Sequence, residues 1–264
     1  MKTLIEMLKI YLLTSFLKVK RSMHYRVDFI TGLIIASLLS FMGPIFQYLV
    51  FQKSSGYLNW NTDQIILYQG VMVLWYGLKD SLFGDLRSHV EQICTNGLLD
   101  MLLLKPYPAI GLLLSRGFFY QSLSAVFVGT GIILYSVKRL ALNISFVDGL
   151  LFLMIMFFGL VAYASIMIVY CAITVKVIRT FRLSEILDKL LIFSQFPTDI
   201  YTPVMRTVFY VVVPIALWIY FPTQVLLDRL NHFVVPGLVS SLLAFILSLM
   251  IWNFTLRKYT SAGG

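Results

Sequence analysis

The chain has 264 residues, 59% of them apolar and 12% charged, with a mean hydropathy of +0.86. Soluble domains run nearer half apolar with about a quarter charged, so a soluble enzyme is excluded; at about 20 apolar residues per crossing, an integral membrane protein with about five to seven spans is expected. The balance of 21 basic against 12 acidic side chains, +9 in all, reads as cytoplasmic anchoring beside anionic lipid rather than nucleic-acid binding, and Cys94 and Cys171 are too few and too far apart for a disulfide framework.

Residues 1–26 form an arm whose apolar residues are interrupted by Lys9, Lys18, Lys20 and Arg21, so it is not a cleaved signal. At about 100° per residue, Leu4, Leu8, Tyr11, Leu12 and Val19 fall on one side and Glu6, Lys9 and Lys20 on the other, the pattern of a helix lying in the membrane surface. Ile10, Leu13 and Leu17 blur the stripe, which leaves a cytoplasmic extension of the first span as the alternative. That span is expected over 27–51, with Asp28 near its inner end and a kink at Gly43-Pro44, because proline removes a helical hydrogen bond. A second span, 64–83, is closed by Asp80, Asp85, Arg87, His89 and Glu91, too polar for hydrocarbon.

After an inner loop at 80–111, spans are expected over 112–137 and 148–174, with Lys176, Arg179, Arg182 and Lys189 marking the inside again. The apolar stretches 184–201, 207–221 and 233–254 then compete for two crossings. The middle one is short, lies between Pro203 and Pro222 and contains Pro214, which suits a segment that re-enters from outside or lies in the interface. This topology leaves sixteen of the 21 basic residues inside and five outside, as the positive-inside rule requires with both termini cytoplasmic. The expected fold is therefore one all-α membrane domain over 1–264: an amphipathic interfacial helix, six transmembrane helices and a re-entrant outer segment before the last span.

Chemistry is sparse. No Gly-Lys-Ser or Gly-Lys-Thr occurs, so the phosphate-cradling loop of nucleotide hydrolysis is missing. His24, His89 and His232 are isolated and offer no metal set. Charges sit at span ends rather than midspan, which also weakens proton-coupled transport. The informative stretch is the inner loop, where Asn96-Gly97 breaks the helix, an amphipathic turn follows from Leu98 to Leu104, and Lys105-Pro106-Tyr107-Pro108 stops it. It is long for a connection and reads as a docking surface, or as an elbow that only steers the chain.

Gly97-x-Leu99-Asp100-x-x-Leu103-x-Lys105-Pro106 resembles the G-x-L-D-x-x-L-x-[RK]-P signature of a subfamily of type-2 ATP-binding-cassette (ABC) transporter permeases. The basic arm, Phe196-Pro197-x-x-Ile200-Tyr201, and Pro214 followed by Tyr220-Phe221-Pro222 agree with it; Cys94-Thr95-Asn96 stands where that subfamily often has a basic residue. The resemblance implies a half-transporter, usually an exporter, that pairs with a second permease copy or paralogue and with two cytoplasmic ATPase subunits. ATP and Mg²⁺ then belong to the ATPase and no cofactor to this chain. Arg87, Glu91, Gly97, Asp100, Lys105 and Pro106 are the expected coupling residues; Pro197, Tyr201, Pro214 and Pro222 mark the outer region. The expected location is a bacterial cell membrane.

An importer permease is the nearest competitor, since Glu91 and Gly97 have the spacing of an E-A-A-x-x-x-G loop, but the rest of that loop fails. A stand-alone secondary transporter or channel, or a non-transporting scaffold, are the other readings. Span faces rich in Phe, Tyr, Met and Trp suit a hydrophobic or amphipathic cargo, and equally suit contact with lipid.

Overall fold

The structure, a computed structural model, describes residues 2–53, 57, 60–177 and 181–260. Arg179 lies outside the described residues, and the side chain of Leu4 is not among those described. All regular structure among the described residues is helical: α1 (Lys2–Ser22), α2 (Arg26–Lys53), α3 (Thr62–Phe83), α4 (Leu86–Thr95), α5 (Leu99–Leu103), α6 (Ala109–Leu114), α7 (Leu123–Arg139), α8 (Phe146–Val177), α9 (Phe181–Phe193), α10 (Pro203–Thr207), α11 (Tyr220–Leu226) and α12 (Val234–Arg257).

Four helical segments are long and apolar enough to cross a membrane: Arg26–Lys53, Tyr120–Arg139, Phe146–Val177 and Val234–Arg257. Two of the expected boundaries differ. The apolar segment expected from Leu112 begins at Tyr120, because Ser115-Arg116-Gly117 interrupts the helix and leaves 112–114 in the short helix α6. Between Ser184 and Tyr201 the helix ends at Phe193, ahead of Pro197, since the residue before a proline is driven out of the α region.

Helix α3 is the centre of the bundle. Ile65, Leu67, Tyr68, Val71 and Trp75 are buried on it, and a small-residue face lets α7 approach closely. At Gly129 of α7 an added Cβ would stand 2.4 Å from the Leu74 backbone nitrogen, so only glycine fits. The opposite, aromatic face of α3 meets the segment after α10: Trp75 stacks on Trp218 with centroids 4.7 Å apart and planes at 15°, and Tyr163 of α8 closes on both rings edge-on. That segment, from a π turn at Val208–Val212 through a break at Val213-Pro214 to α11, is buried from Pro214 to Leu226. Its two limbs meet where Tyr210 stacks on Tyr220, centroids 6.0 Å apart.

Helix α9 stops inside this assembly, and tyrosine hydroxyls donate to carbonyls at and just beyond its end. Tyr76 donates to the Leu191 carbonyl (3.0 Å), Tyr68 to Ser194 and Phe196 (2.8 and 2.9 Å), and Tyr201 to Phe193 (3.0 Å). In contrast α2 is peripheral, with Pro44 and Phe51 its buried residues.

The α3–α7 contact predicts opposite outcomes at two glycines two residues apart, on opposite faces of α7. Gly129→Leu forces the helices apart, an overpacking cost of about 1–3 kcal/mol or more, whereas the Cβ of Gly131 meets nothing within 4 Å, so Gly131→Ala is neutral or mildly stabilising. Thermal unfolding of the purified chain in detergent measures both.

Candidate coupling surface

The inner loop is a folded unit. Asp85 donates its backbone N–H to the Gly117 carbonyl (3.0 Å) and Phe119 donates to Ser81 (3.1 Å), which fastens the exit of α3 to the entry of the α7 segment. Between these ties α4 buries Leu86, Val90 and Ile93, spaced i, i+4, i+7 as one helical face requires, and α6 buries Ala109, Leu112 and Leu113.

Gly97 ends α4 in the left-handed region at φ +65°. Its N–H reaches the Cys94 carbonyl (3.4 Å) and that of Leu98 reaches Ile93 (2.9 Å), the paired bonds of a Schellman stop. Nothing crowds its Cβ direction, so backbone conformation alone selects glycine here. Beyond it α5 turns Leu98, Met101 and Leu104 outward at 45%, 65% and 85% exposure. Half-buried Asp100 and exposed Lys105 and Pro106 complete this tip. Gly97, Asp100, Lys105 and Pro106 are thus brought together.

Arg87 and Glu91 face elsewhere. Arg87 pairs with Asp188 of α9 at 2.8 Å, and Glu91 accepts from the Tyr170 hydroxyl of α8, which lies 3.0 Å from the Ser184 hydroxyl of α9. The two form a polar latch from the loop to α8 and α9. Burial lowers the affinity of the Arg87 guanidinium for its proton, but the hydrogen bond and charge of Asp188 outweigh it and hold the pKa above its ordinary value. With both partners partly exposed, such a pair contributes on the order of 0–1 kcal/mol, so it serves geometry more than stability. Cys94, beneath the latch, has its thiol pushed up to about 11 by burial and by Glu91, which keeps it protonated and unreactive.

The amino-terminal arm lies against the same unit. Thr14 donates to the Ser115 carbonyl (2.9 Å) and Tyr11 to Leu82 (3.2 Å). Lys18 pairs with Asp85 (2.9 Å) and donates to the carbonyls of Arg116 and Phe118 (2.7 and 3.0 Å). The outer-region residues have local roles. Pro197 caps a short 3₁₀ turn, Tyr201 closes on α9, Pro214 sits in the break and Pro222 is buried in α11. Asp199 ties this region together by accepting from the Trp60 indole (3.0 Å) and the Tyr220 hydroxyl (2.9 Å), while Arg206 donates to its carbonyl (2.9 Å). Sequence reading missed Lys18, Tyr170, Ser184, Asp188 and Asp199 as partners; Asp188 and Asp199 carried a signal, carboxylates inside the apolar stretch 184–201. No group of three or more metal-binding side chains occurs among the described residues.

A multi-pass helical membrane protein with a folded loop between α3 and α7 is the architecture these residues define. The family model described as "ABC-2 family transporter protein" matches residues 11–263. The chain therefore belongs to the ABC-2 transporter family and is an ABC transporter permease, the membrane component that associates with ABC ATPase subunits. Neither a curated relative nor a solved structure matches it.

His89, on α4 outside the spans, gives this junction a pH dependence. Burial, then Arg116 and Lys18, depress its pKa below the ordinary imidazole value, against a smaller opposite effect of Asp85. A depressed base binds fewer protons folded than unfolded, so its contribution is complete above about pH 6.5, the unfolded value, and declines as pH falls below it. His89→Asn is expected to lower the loss of unfolding midpoint between about pH 7 and pH 5, measured by paired thermal scans.

Proposed function

We propose that this permease exports a hydrophobic or amphipathic substrate from the cytoplasmic side of a bacterial cell membrane, powered by separate ATPase subunits that dock on the loop tip at 98–107. The observation that carries the reading is the division of labour within the loop. Its tip offers apolar Leu98, Met101 and Leu104 beside Asp100, Lys105 and Pro106, while Arg87 and Glu91 are joined to α8 and α9. A partner that moves the tip moves α4 as a lever, and the latch passes that motion to the two helices flanking the outer segment. ATP and Mg²⁺ act on the partner; this chain supplies a change between inward- and outward-open packings, biased by the contacts that each ATPase state makes. A second permease copy or paralogue completes the pathway.

Six crossings with both termini inside form part of the same reading. Helix α3 supplies the second and α9 with residues 194–201 the fifth; residues 207–221 re-enter from outside. Support for re-entry comes from the meeting of Tyr210 with Tyr220 while Trp218, between them in sequence, reaches Trp75 seven residues beyond Tyr68 along α3. Single cysteines in a chain lacking Cys94 and Cys171 test this in intact cells: an impermeant reagent should label position 231 and spare position 182. The reverse pattern refutes the topology.

The coupling model separates two kinds of variant. Met101→Asp with Leu104→Asp at the tip is expected to cut co-purifying ATPase by tenfold or more, since burying two unpaired charges costs several kcal/mol. Asp188→Asn and Tyr170→Phe should leave ATPase association intact and lower transport per ATP hydrolysed. Wild-type association in the tip variant removes the docking site, and unchanged coupling in the latch variants removes the lever. Hydrolysis by the isolated chain overturns the dependence on a separate ATPase.

A further inference from the structure

We infer that the furrow between α2 and α7 is a binding site for one acyl chain of an anionic membrane lipid, whose head is held by the exposed cations at the α1–α2 junction. Two adjoining cavities form the furrow. One, of about 370 Å³, is lined by Val19, Phe29, Ser37 and Tyr120 among others, and the next, of about 610 Å³, by Pro44, Tyr48, Gly131 and Tyr135. They share Phe127 and Val128, so the track is continuous along one stripe of α7. From Leu123 to Tyr135 that stripe runs about 18 Å at 1.5 Å per residue, close to the roughly 15 Å of hydrocarbon in one leaflet of a ~30 Å core. Its length is that of a single leaflet's chain. Gly131 leaves the track open, since a Cβ there would touch nothing within 4 Å.

The head-group end is set by charge. At the Val19 end Phe29 stacks on Tyr120 with centroids 5.1 Å apart and planes at 17°; Lys20 and Arg21 directly follow Val19 on α1, and Arg26 lies one helical turn before Phe29 on α2. All three cations are exposed, as are His24 and the one acid nearby, Asp28. Lys18 is already committed to Asp85 and to backbone carbonyls and is not counted. Three cations against one carboxylate favour a phosphate-bearing anionic head over a zwitterionic one, and Ser37 and Ser124 add hydroxyls part-way along the walls. The occupant is a lipid of the leaflet on the arm's side. The site rests on the chain's being embedded in a bilayer and not on its pairing with an ATPase.

The test is native mass spectrometry of the full chain, purified in mild detergent after equilibration with vesicles of phosphatidylglycerol and phosphatidylcholine in equal amounts. The parent should retain phosphatidylglycerol in preference to phosphatidylcholine. Each cation near an anionic surface contributes about fivefold, so Lys20→Gln, Arg21→Gln and Arg26→Gln together should reduce that preference on the order of 100-fold. Gly131→Phe should displace the chain and lower retention of both lipids, with the unfolding midpoint preserved; Val128→Trp is a second filler should the first misfold. Equal retention of the two lipids by the parent, or parent-like retention by both fillers, overturns the proposal. If the fillers alter self-association in size-exclusion chromatography with lipid retention unchanged, the furrow belongs to a second copy and the lipid assignment falls. None of these readouts depends on ATPase binding.

Discussion

A helix that ends where water is scarce must hand its last carbonyls to another donor, because each polar backbone group left unpaired in hydrocarbon costs several kcal/mol. At the end of α9 the Ser194 and Gln195 N–H groups serve Leu191 and Ile192, and three tyrosines add donors. Tyr68 and Tyr76 of α3 cover Leu191, Ser194 and Phe196, and Tyr201 covers Phe193. The bonds fix α9 against α3, which frees the following chain to turn at Pro197 and to enter the bundle with Trp218. Because α3 donates from one face and abuts α7 on another, it can shift only if both contacts shift. It behaves as a keel for the inner loop at its own carboxyl end.

The loop inherits that rigidity at one end and is lashed at two others. Lys18 binds the turn at 116–118 from the arm, and Arg87 and Glu91 bind α8 and α9. The tip carries the exposed apolar side chains Leu98, Met101 and Leu104. An apolar patch outside the bilayer is costly unless something covers it, whereas the partly exposed ion pairs contribute little to stability and hold angles instead. Stiff lashings behind an apolar tip are what a lever needs, since compliance anywhere along α4 would absorb the motion before it reached α8.

Sequence alone exposed what depends on local pattern. The long apolar runs at 27–51 and 148–174 lie within helices that extend slightly past each end, the run at 233–254 matches a helix that begins one residue later at Val234, and the Asn96-Gly97 breaker became a Schellman stop because positive φ is a one-residue property. The run at 112–114 misled, since three leucines packed under a loop carry the same hydropathy as three in lipid; only Arg116 two residues on distinguished them. The latch was illegible for a different reason. Tyr170 and Glu91 are 79 residues apart and Arg87 and Asp188 are 101 apart, so no periodicity links them, and charges that looked available to a partner proved to be spent within the chain.

That last difference changes what the loop's charges mean. If all four were on a docking face, exchanging them would retune the affinity for a partner and leave the permease itself untouched. With Arg87 and Glu91 tied to α8 and α9, their loss frees α4 from α8, which packs against the segment from Ile215 to Leu226. The 240 Å³ cavity between α8, α9, α12 and Pro214, lined by Tyr170 and Trp218, then lies in the path of any relaxation, because one wall carries the latch tyrosine and another the indole stacked on α3. Inner-loop strain and outer-segment position are therefore joined through Tyr170 and Trp218 rather than through the length of a single helix.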